Sequence, residues 1–459
     1  MAERIDQNTA AAQNKMGTMP EGRLLVTMSL PIMLSMLVQA LYNIVDSAFV
    51  ARISEDALTA VSLAFPVQLL MIACATGTGV GINALLSRRL GERQQAQADR
   101  VAANGIFLSV CLWLVFAALG LLCGRRFIAA FTDVPAVIDM GTRYVTVVTT
   151  ASCGVFLLFT AERLMQATGH TVYHMVTQLI GASLNCVLDP ILIFGLCGCP
   201  ALGTTGAALA TATAQIIAMA IGFFINVRFN RDVHLHLRDF RPDGAILAAM
   251  VRIGLPATLQ QSLMSVLTIG LNHILMAFSQ TAVGFYGVYF KLQNFLFLPV
   301  YGLNNALIPM VGYNLGAGAH RRIARITRYA LLLALGIMAA GTLLFELCPA
   351  PLLRLFDASD AMLALGVPGI RIISSSFCAA GLSVVLCGWM QGLGRSGASL
   401  AVALLRQLVV LLPAAALLAR VSLTAVWLAF PLAEVVGLLA AALLCRRIGR
   451  RLSDPPTKC

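Results

Sequence analysis

Apolar stretches of about 20 residues, the length a helix needs to cross a bilayer, follow one another along this chain almost without a break. They fall at Leu24–Val50, Ala57–Asn83, Val101–Cys123, Val137–Ala161, Val172–Leu196 and Gly203–Val227. A second set falls at Ile246–Ala277, Ala282–Ile308, Arg325–Cys348, Met362–Gly388, Ala398–Ala419 and Leu423–Leu444. Several hold an internal Pro or Gly, which a membrane helix tolerates because neighbouring helices satisfy the freed backbone groups. Composition agrees: 59% of the 459 residues are hydrophobic and 11% are charged, with a mean hydropathy of +0.85. A soluble domain carries about a quarter charged residues, so this chain cannot clothe a water-facing surface. The expected fold is all-α and polytopic, with about twelve transmembrane helices.

The residues before the first stretch, 1–22, are polar and lack an apolar run with a small-residue cleavage site, so they read as a short disordered tail rather than a signal peptide. Cys74, Cys111, Cys153, Cys378 and Cys387 lie inside apolar stretches, where cysteine behaves as a small hydrophobe. Cys197 and Cys199 fall in an expected outer loop. The formal net charge is +12, and its placement decides what it means. Arg88, Arg89, Arg93 and Arg100 follow helix two; Arg228, Arg231, Arg238 and Arg241 follow helix six. Arg321, Arg322, Arg325 and Arg328 follow helix eight, and Arg446, Arg447, Arg450 and Arg451 follow helix twelve. These ends all lie on one side, whereas the alternate loops 195–205 and 279–284 carry no Lys or Arg; Arg125 and Arg126 are the main exception. The positive-inside rule then puts both termini on the cytoplasmic side of a plasma (inner) membrane. Basic charge used this way marks topology and gives no reason to expect nucleic acid.

An ungapped offset of 225 residues carries Pro31 onto Pro256, Phe65 onto Phe290, Gln68 onto Gln293 and Gly77 onto Gly302. It also carries Gly91 onto Gly316, Arg100 onto Arg325, Phe131 onto Phe356, Gln166 onto Gln391 and Gly169 onto Gly394. The chain therefore reads as a tandem repeat: a tail over 1–22, a six-helix lobe over 23–228, a cytoplasmic linker over 229–244, a second lobe over 245–446 and a tail over 447–459. An even number of helices per half makes both enter the membrane in the same sense. The lobes should then be related by a two-fold axis along the membrane normal, with a transport path between them. In the linker, His234 and His236 read as solvated rather than metal-binding.

A charge at mid-bilayer costs about 2.5–3.5 kcal/mol, so polar residues there mark function or a buried partner. Helix one carries Ser35, Gln39, Asn43 and Asp46 at helical spacing, and helix five carries Gln178, Asn185 and Asp189 with Pro190 behind the acid. Proline cannot donate to the helix ladder and frees a carbonyl one turn back, which suits a hard cation or a proton relay. At about 1.5 Å rise per residue, Asp46, Asp189 and Thr211 can share a pocket in the outer half of the first lobe. The plainer alternative is that Asp46 caps a loop and Asp189 bonds a neighbouring hydroxyl. The offset puts Asp46 on Leu271 and Asp189 on Ala414, so the second lobe has no acid at the matching positions. Its own helices carry Arg406 and Glu434, at similar depth and suited to a structural ion pair, and Lys291 on one face with Asn294, Tyr301 and Asn305. Lys291 either lines a central cavity or is paired. Gln39, Asn43, Gln178, Gln261, Lys291, Asn294, Tyr301 and Asn305 are the candidate cavity residues.

The stretch SLPIMLSMLVQALYNIVDSAFVARI from Ser29 to Ile53 resembles the first helix of multidrug and toxic compound extrusion (MATE) transporters. LMQATGH (Leu164–His170), GAALATATAQ (Gly206–Gln215) and PVYGLNNALIPMVGYNLGAG (Pro299–Gly318) resemble the same family, in order and across nearly the whole chain. Asp46 with the Asn185–Asp189 spacing looks like its DinF-like bacterial and archaeal branch. The resemblance implies drug export by alternating-access antiport against H⁺ or Na⁺. It also implies that Asp46, Asn185, Asp189 and Thr211 form the cation site, with Na⁺ at the first three if Na⁺ is the ion. No cofactor beyond the coupling ion is implied. The partners are small-molecule substrates and lipid, and a monomer is expected. The sister branch uses acids in helices seven and ten; here helix seven has Gln260 and Gln261 and helix ten has none. A transporter of lipid-linked or anionic metabolites is the competing reading, favoured by Lys291. The chain has no G-x-x-x-x-G-K-[ST] loop for an ATP-driven pump and no nucleophile constellation for an enzyme.

Overall fold

The computed structural model describes residues 14–235 and 240–453, so His236, Arg238, Cys459 and residues 1–13 lie outside the described residues, and nothing is said of the Arg451 side chain. Among the described residues there is no β-strand. Helix one is Glu21–Ala51, two Glu55–Gly91 and three Gln95–Ala129; four is Pro135–Thr150 continued by Cys153–Ala167, five Thr171–Phe194 and six Gly203–Phe229. Helix seven is Gly244–Met276, eight Gln280–Gly316 and nine His320–Leu347. Ten is the pair Asp360–Ser374 and Phe377–Gly392, bent by 48°. Eleven runs from Ser396 to Leu418, and twelve joins Leu423–Trp427 to Ala429–Ser453. Ten of these are long and apolar enough to cross a membrane, and the bent pair makes an eleventh. Helix seven, 33 residues long, is the twelfth; Gln260 and Gln261 dilute its apolar character.

The tandem repeat extends to backbone detail. Ser54 and Ser279 cap helices two and eight by accepting from the backbone three residues on. Gly169 and Gly394, again 225 apart, both take positive φ, +88° and +73°. Helix four breaks at Ala151–Ser152 and helix ten at Ser375–Ser376.

The lobes meet along helices two, seven and eight, and across helices one and eight. Their closest approaches come in repeat-related pairs. A methyl on Gly91 would strike the Tyr313 carbonyl, and one on Gly316 the Arg88 carbonyl. A methyl on Gly77 would strike Thr258, and one on Gly302 would lie 2.8 Å from Met33 Cα. Each second pair is the first shifted by the offset, which is what a two-fold axis between the lobes requires.

These contacts occupy the half of the bundle that carries the arginine clusters, here called the basic end. Two turns toward the far end, on the same faces as Gly77 and Gly302, Leu70 and Phe295 are 50% and 48% exposed. The lobes therefore part toward the far end and leave a cleft. Replacing Gly316 by Leu should keep the basic ends from meeting. A cysteine in place of Ser87, fully buried beside Gly312, should then label several-fold faster with a maleimide; unchanged labelling would show that the contact does not control closure.

Part of the expected free tail is instead ordered. Residues 15–18 form a short helix with Met16 buried between the lobes. Asn14 Nδ2 donates to the Thr168 carbonyl of the first lobe at 3.0 Å. Arg322 of the second lobe donates to the Met16 and Met19 carbonyls at 3.2 and 2.8 Å. Glu21 adds ion pairs to Arg322 and Arg325 at 3.8 and 3.6 Å. The polarity that marks this segment as solvated in sequence is spent on cross-lobe hydrogen bonds. In the linker, the His234 backbone N–H donates to Asp99 Oδ1 at 2.8 Å.

Candidate functional site

Helices one, five and six bring Asp46, Asn185, Asp189 and Thr211 together. Asp189 is fully buried and Asn185 is 3% exposed. Asn185 Nδ2 donates to Asp189 Oδ1 at 3.2 Å and to Thr211 Oγ1 at 3.3 Å. The carboxyls of Asp46 and Asp189 lie within hydrogen-bond reach of each other. Asp46 Oδ1, Asp189 Oδ2 and Asn185 Oδ1 are buried with no hydrogen-bond partner among the described residues. Two touching carboxyls cannot both stay ionised in a low-dielectric setting unless a proton or a cation lies between them. Three unsatisfied oxygens fit a shared proton or a small hard cation. Pro190 supports the arrangement, since without its N–H the Cys186 carbonyl one turn back loses its helical donor.

The buried stripe of helix one differs from the expected one. Ser35 is buried and Gln39 half-buried, but Asn43 is exposed and Tyr42 takes its place, hydrogen-bonded to Gln39 and within electrostatic range of both acids. Tyr144 of helix four, 3% exposed, is also in range of both acids and accepts from Gln68 Nε2 at 3.0 Å. Gln178 is half-buried on the helix-five face that carries Asn185. Neither tyrosine stood out in sequence, because a lone Tyr among apolar neighbours reads as core.

Lys291 lies one turn from Phe295 on the cleft-facing side of helix eight, exposed and with no ion pair among the described residues. Gln261, one turn beyond Thr258 on helix seven, is also exposed, as is Asn43 two turns beyond Met36. Asn294 and Tyr301 are half-buried. Asn305 is drawn into the lobe contact, with its Nδ2 3.8 Å from Met36 Sδ. The candidate cavity residues thus divide between the cleft and the lobe interiors.

The second lobe carries an ion pair on the helices that repeat five and six, at positions other than those that match Asp46 and Asp189. Arg406 Nη1 donates to Glu434 Oε2 at 3.0 Å, joining helices eleven and twelve, the repeat partners of five and six. Arg406 sits in a π-helical segment, Leu405–Leu411, a local widening common at functional positions. Gly437 makes room for it: a methyl there would lie 3.0 Å from Arg406 Cδ. Gln260 turns inward, its Oε1 accepting from Ser399 at 2.9 Å and from Gln391 at 3.1 Å.

A family profile described as MatE matches the chain twice, over residues 31–191 and 256–417. The chain belongs to the MatE family. The two matches begin 225 residues apart, one per lobe, so the internal repeat is the MatE repeat. The chain is 26% identical over 443 residues to a multidrug export protein MepA of Staphylococcus aureus strain NCTC 8325, covering 95% of each. It is 26% identical over 379 residues to MepA of Staphylococcus haemolyticus, covering 82% of each. A crystal structure of MATE in complex with MaL6 superposes with a TM-score of 0.90 at 25% identity, covering 96% of this chain and 99% of that one. A structure described as the outward-facing conformation of a multidrug resistance MATE family transporter does so with the same TM-score, identity and coverage. This MatE chain is accordingly a multi-pass membrane protein of a transporter family, and the likeness runs over nearly its whole length.

Proposed function

We propose that the protein is a secondary antiporter of the DinF-like branch, exporting organic, mostly cationic amphiphiles against inward H⁺ or Na⁺. The observation that carries this reading is the contact between Asp46 and Asp189, with three unsatisfied oxygens around it, next to a cleft closed at one end. A bound proton or Na⁺ cancels one of the two charges of the acid pair; substrate in the cleft favours the state in which the ion has left. The two ligands then bias one conformational equilibrium in opposite directions, which is what exchange requires. Exposed apolar walls at Leu70 and Phe295 with a few polar groups suit amphiphiles, in keeping with the drug export for which the MepA relatives are named.

By the positive-inside rule the basic end and both termini are cytoplasmic, in the plasma membrane of a bacterium or archaeon, and the cleft faces out. Single-cysteine versions in intact cells should label from outside at Cys197 or Cys199 and not at Cys459; outside labelling of Cys459 reverses the orientation. A second reading rests on Lys291, exposed to the cleft with no ion pair among the described residues, which suits the anionic headgroup of a lipid-linked or other metabolite. Purified protein in liposomes, with pH and Na⁺ gradients imposed separately, tests both. Ethidium movement against its own gradient supports cation export. Movement of an anionic lipid analogue alone supports the second reading.

A further inference from the structure

Helix four runs six residues past Ala161, and this extension places Glu162 and Arg163 inside the first lobe. Glu162 is 5% exposed, and Arg163 and His174 of helix five are 6% exposed each. His174 Nδ1 lies 3.6 Å from Glu162 Oε2. Arg163 turns the other way, donating from Nη1 to Gln166 Oε1 at 2.7 Å, and Gly79 of helix two leaves space for its stem, since a methyl there would lie 2.8 Å from Arg163 Cγ. Glu162 Oε1, Arg163 Nε, His174 Nδ1 and Asn83 Oδ1 are all buried and have no hydrogen-bond partner among the described residues. Four such atoms in one place call for internal water, and ionisable groups held this deep need a function or a compensating partner.

The cluster is not isolated. His174, Gln178, Asn185 and Asp189 share one face of helix five over about 22 Å. Helix one packs against it with Gln39, Tyr42 and Asp46 on its facing side. Tyr42 is within electrostatic range of Glu162 as well as of Asp46 and Asp189. Polar groups therefore recur along these facing stripes from the acid pair toward the basic end and stop at Glu162 and His174. The titratable or charged groups acting on Glu162 and His174 are Arg163 from their own cluster and Tyr42 from helix one; Asn83 and Gln166 are the neutral neighbours.

We propose that Glu162, held beside His174 and Arg163, forms a second proton-carrying station in the first lobe, through which protons leave the Asp46–Asp189 pair for the basic end. This rests on the antiport reading above. In the step, a proton released from an Asp carboxyl passes along the Tyr42 hydroxyl and water to the Glu162 carboxylate, forming its O–H bond, while Gln39 orients Tyr42. That bond then breaks as Glu162 gives the proton to water at the basic end, with neutral His174 lying beside the carboxyl at 3.6 Å. The fixed positive charge of Arg163 favours the ionised form of Glu162 and so promotes release of the proton toward the basic end.

The test is ethidium transport and lumenal pH, read with a trapped pH dye, in liposomes holding the full chain under an imposed pH gradient. Glu162→Gln should slow proton-driven ethidium transport by about tenfold or more while leaving ethidium binding within about twofold of the parent. His174→Gln should lower the rate and shift its pH profile, and Glu162→Asp should recover most of the loss. Parent-like pumping by both Glu162→Gln and His174→Gln would overturn the proposal, as would transport driven by Na⁺ and indifferent to pH. If Glu162→Gln fails to fold, His174→Gln decides alone on the same readout. Asp189→Asn in parallel separates the two readings: if it stops pumping while the Glu162 and His174 variants do not, only the second station is wrong.

Discussion

Asp189→Asn and Asp46→Asn should each abolish uphill export while leaving the protein folded in the membrane. Asn keeps the shape of the side chain and its hydrogen bonding but can hold neither a titrating proton nor a cation's charge. One net charge moving inward per exported substrate through 100 mV is worth about 2.3 kcal/mol, about fifty-fold accumulation at equilibrium, and a lobe that carries no ion cannot use it. The accumulation ratio should fall from that order to about one. Substrate binding in the cleft should survive, because Leu70, Phe295 and Lys291 lie on other helices. The check is gradient-driven efflux by each variant in liposomes, beside equilibrium binding of the same probe. If both variants pump at near-parent rates, the first-lobe cation site is wrong and Glu434 becomes the acid to test. Thr211→Val should act more weakly, since it removes one hydroxyl that accepts at 3.3 Å and no charge.

Arg406→Ala should destabilise the second lobe by about 3–5 kcal/mol, because it strands Glu434 without its partner. Both side chains are under a fifth exposed, so water compensates little. The loss should appear as a lower melting temperature in detergent and poorer membrane yield. The double variant Arg406→Met with Glu434→Leu should cost much less than Arg406→Ala alone, since an apolar pair of similar volume leaves no uncompensated charge. Losses that simply add would show that the two residues act separately and would move Arg406 from a structural to a cleft role. Arg406 and Glu434 lie on the helices that repeat those of Asp189 and Thr211.

Three features were readable without tertiary structure, because each is local or periodic. The apolar runs set the spans, and their observed ends move mainly by lengthening. The offset of 225 appears in sequence as Pro31 and Pro256 and in space as the Gly91–Tyr313 and Gly316–Arg88 contacts. The helical spacing of Asn185 and Asp189 places both on one face, and their meeting with Thr211 follows from helices five and six being neighbours.

Other features depended on how helices rotate and tilt against one another, which spacing does not encode. Asn43 and Tyr42 are adjacent in sequence, and a rotation of about 100° per residue decides which one enters the lobe; packing against helix five chooses Tyr42. Glu162 and Arg163 fall just past the apolar run that ends at Ala161, yet Gly79, His174 and Gln166 from three helix segments enclose them. The order of residues 14–19 is set by their carbonyls, which Arg322 and Asn314 find across the lobe boundary from far along the chain. Sequence alone determined that this is a two-lobed membrane bundle with Asp46 and Asp189 unmatched in the second lobe, because hydrophobic length, repetition and charge are carried residue by residue. Only the tertiary structure decided which polar groups face each other, where the lobes touch and where they part, because those outcomes belong to contacts between segments distant in the chain.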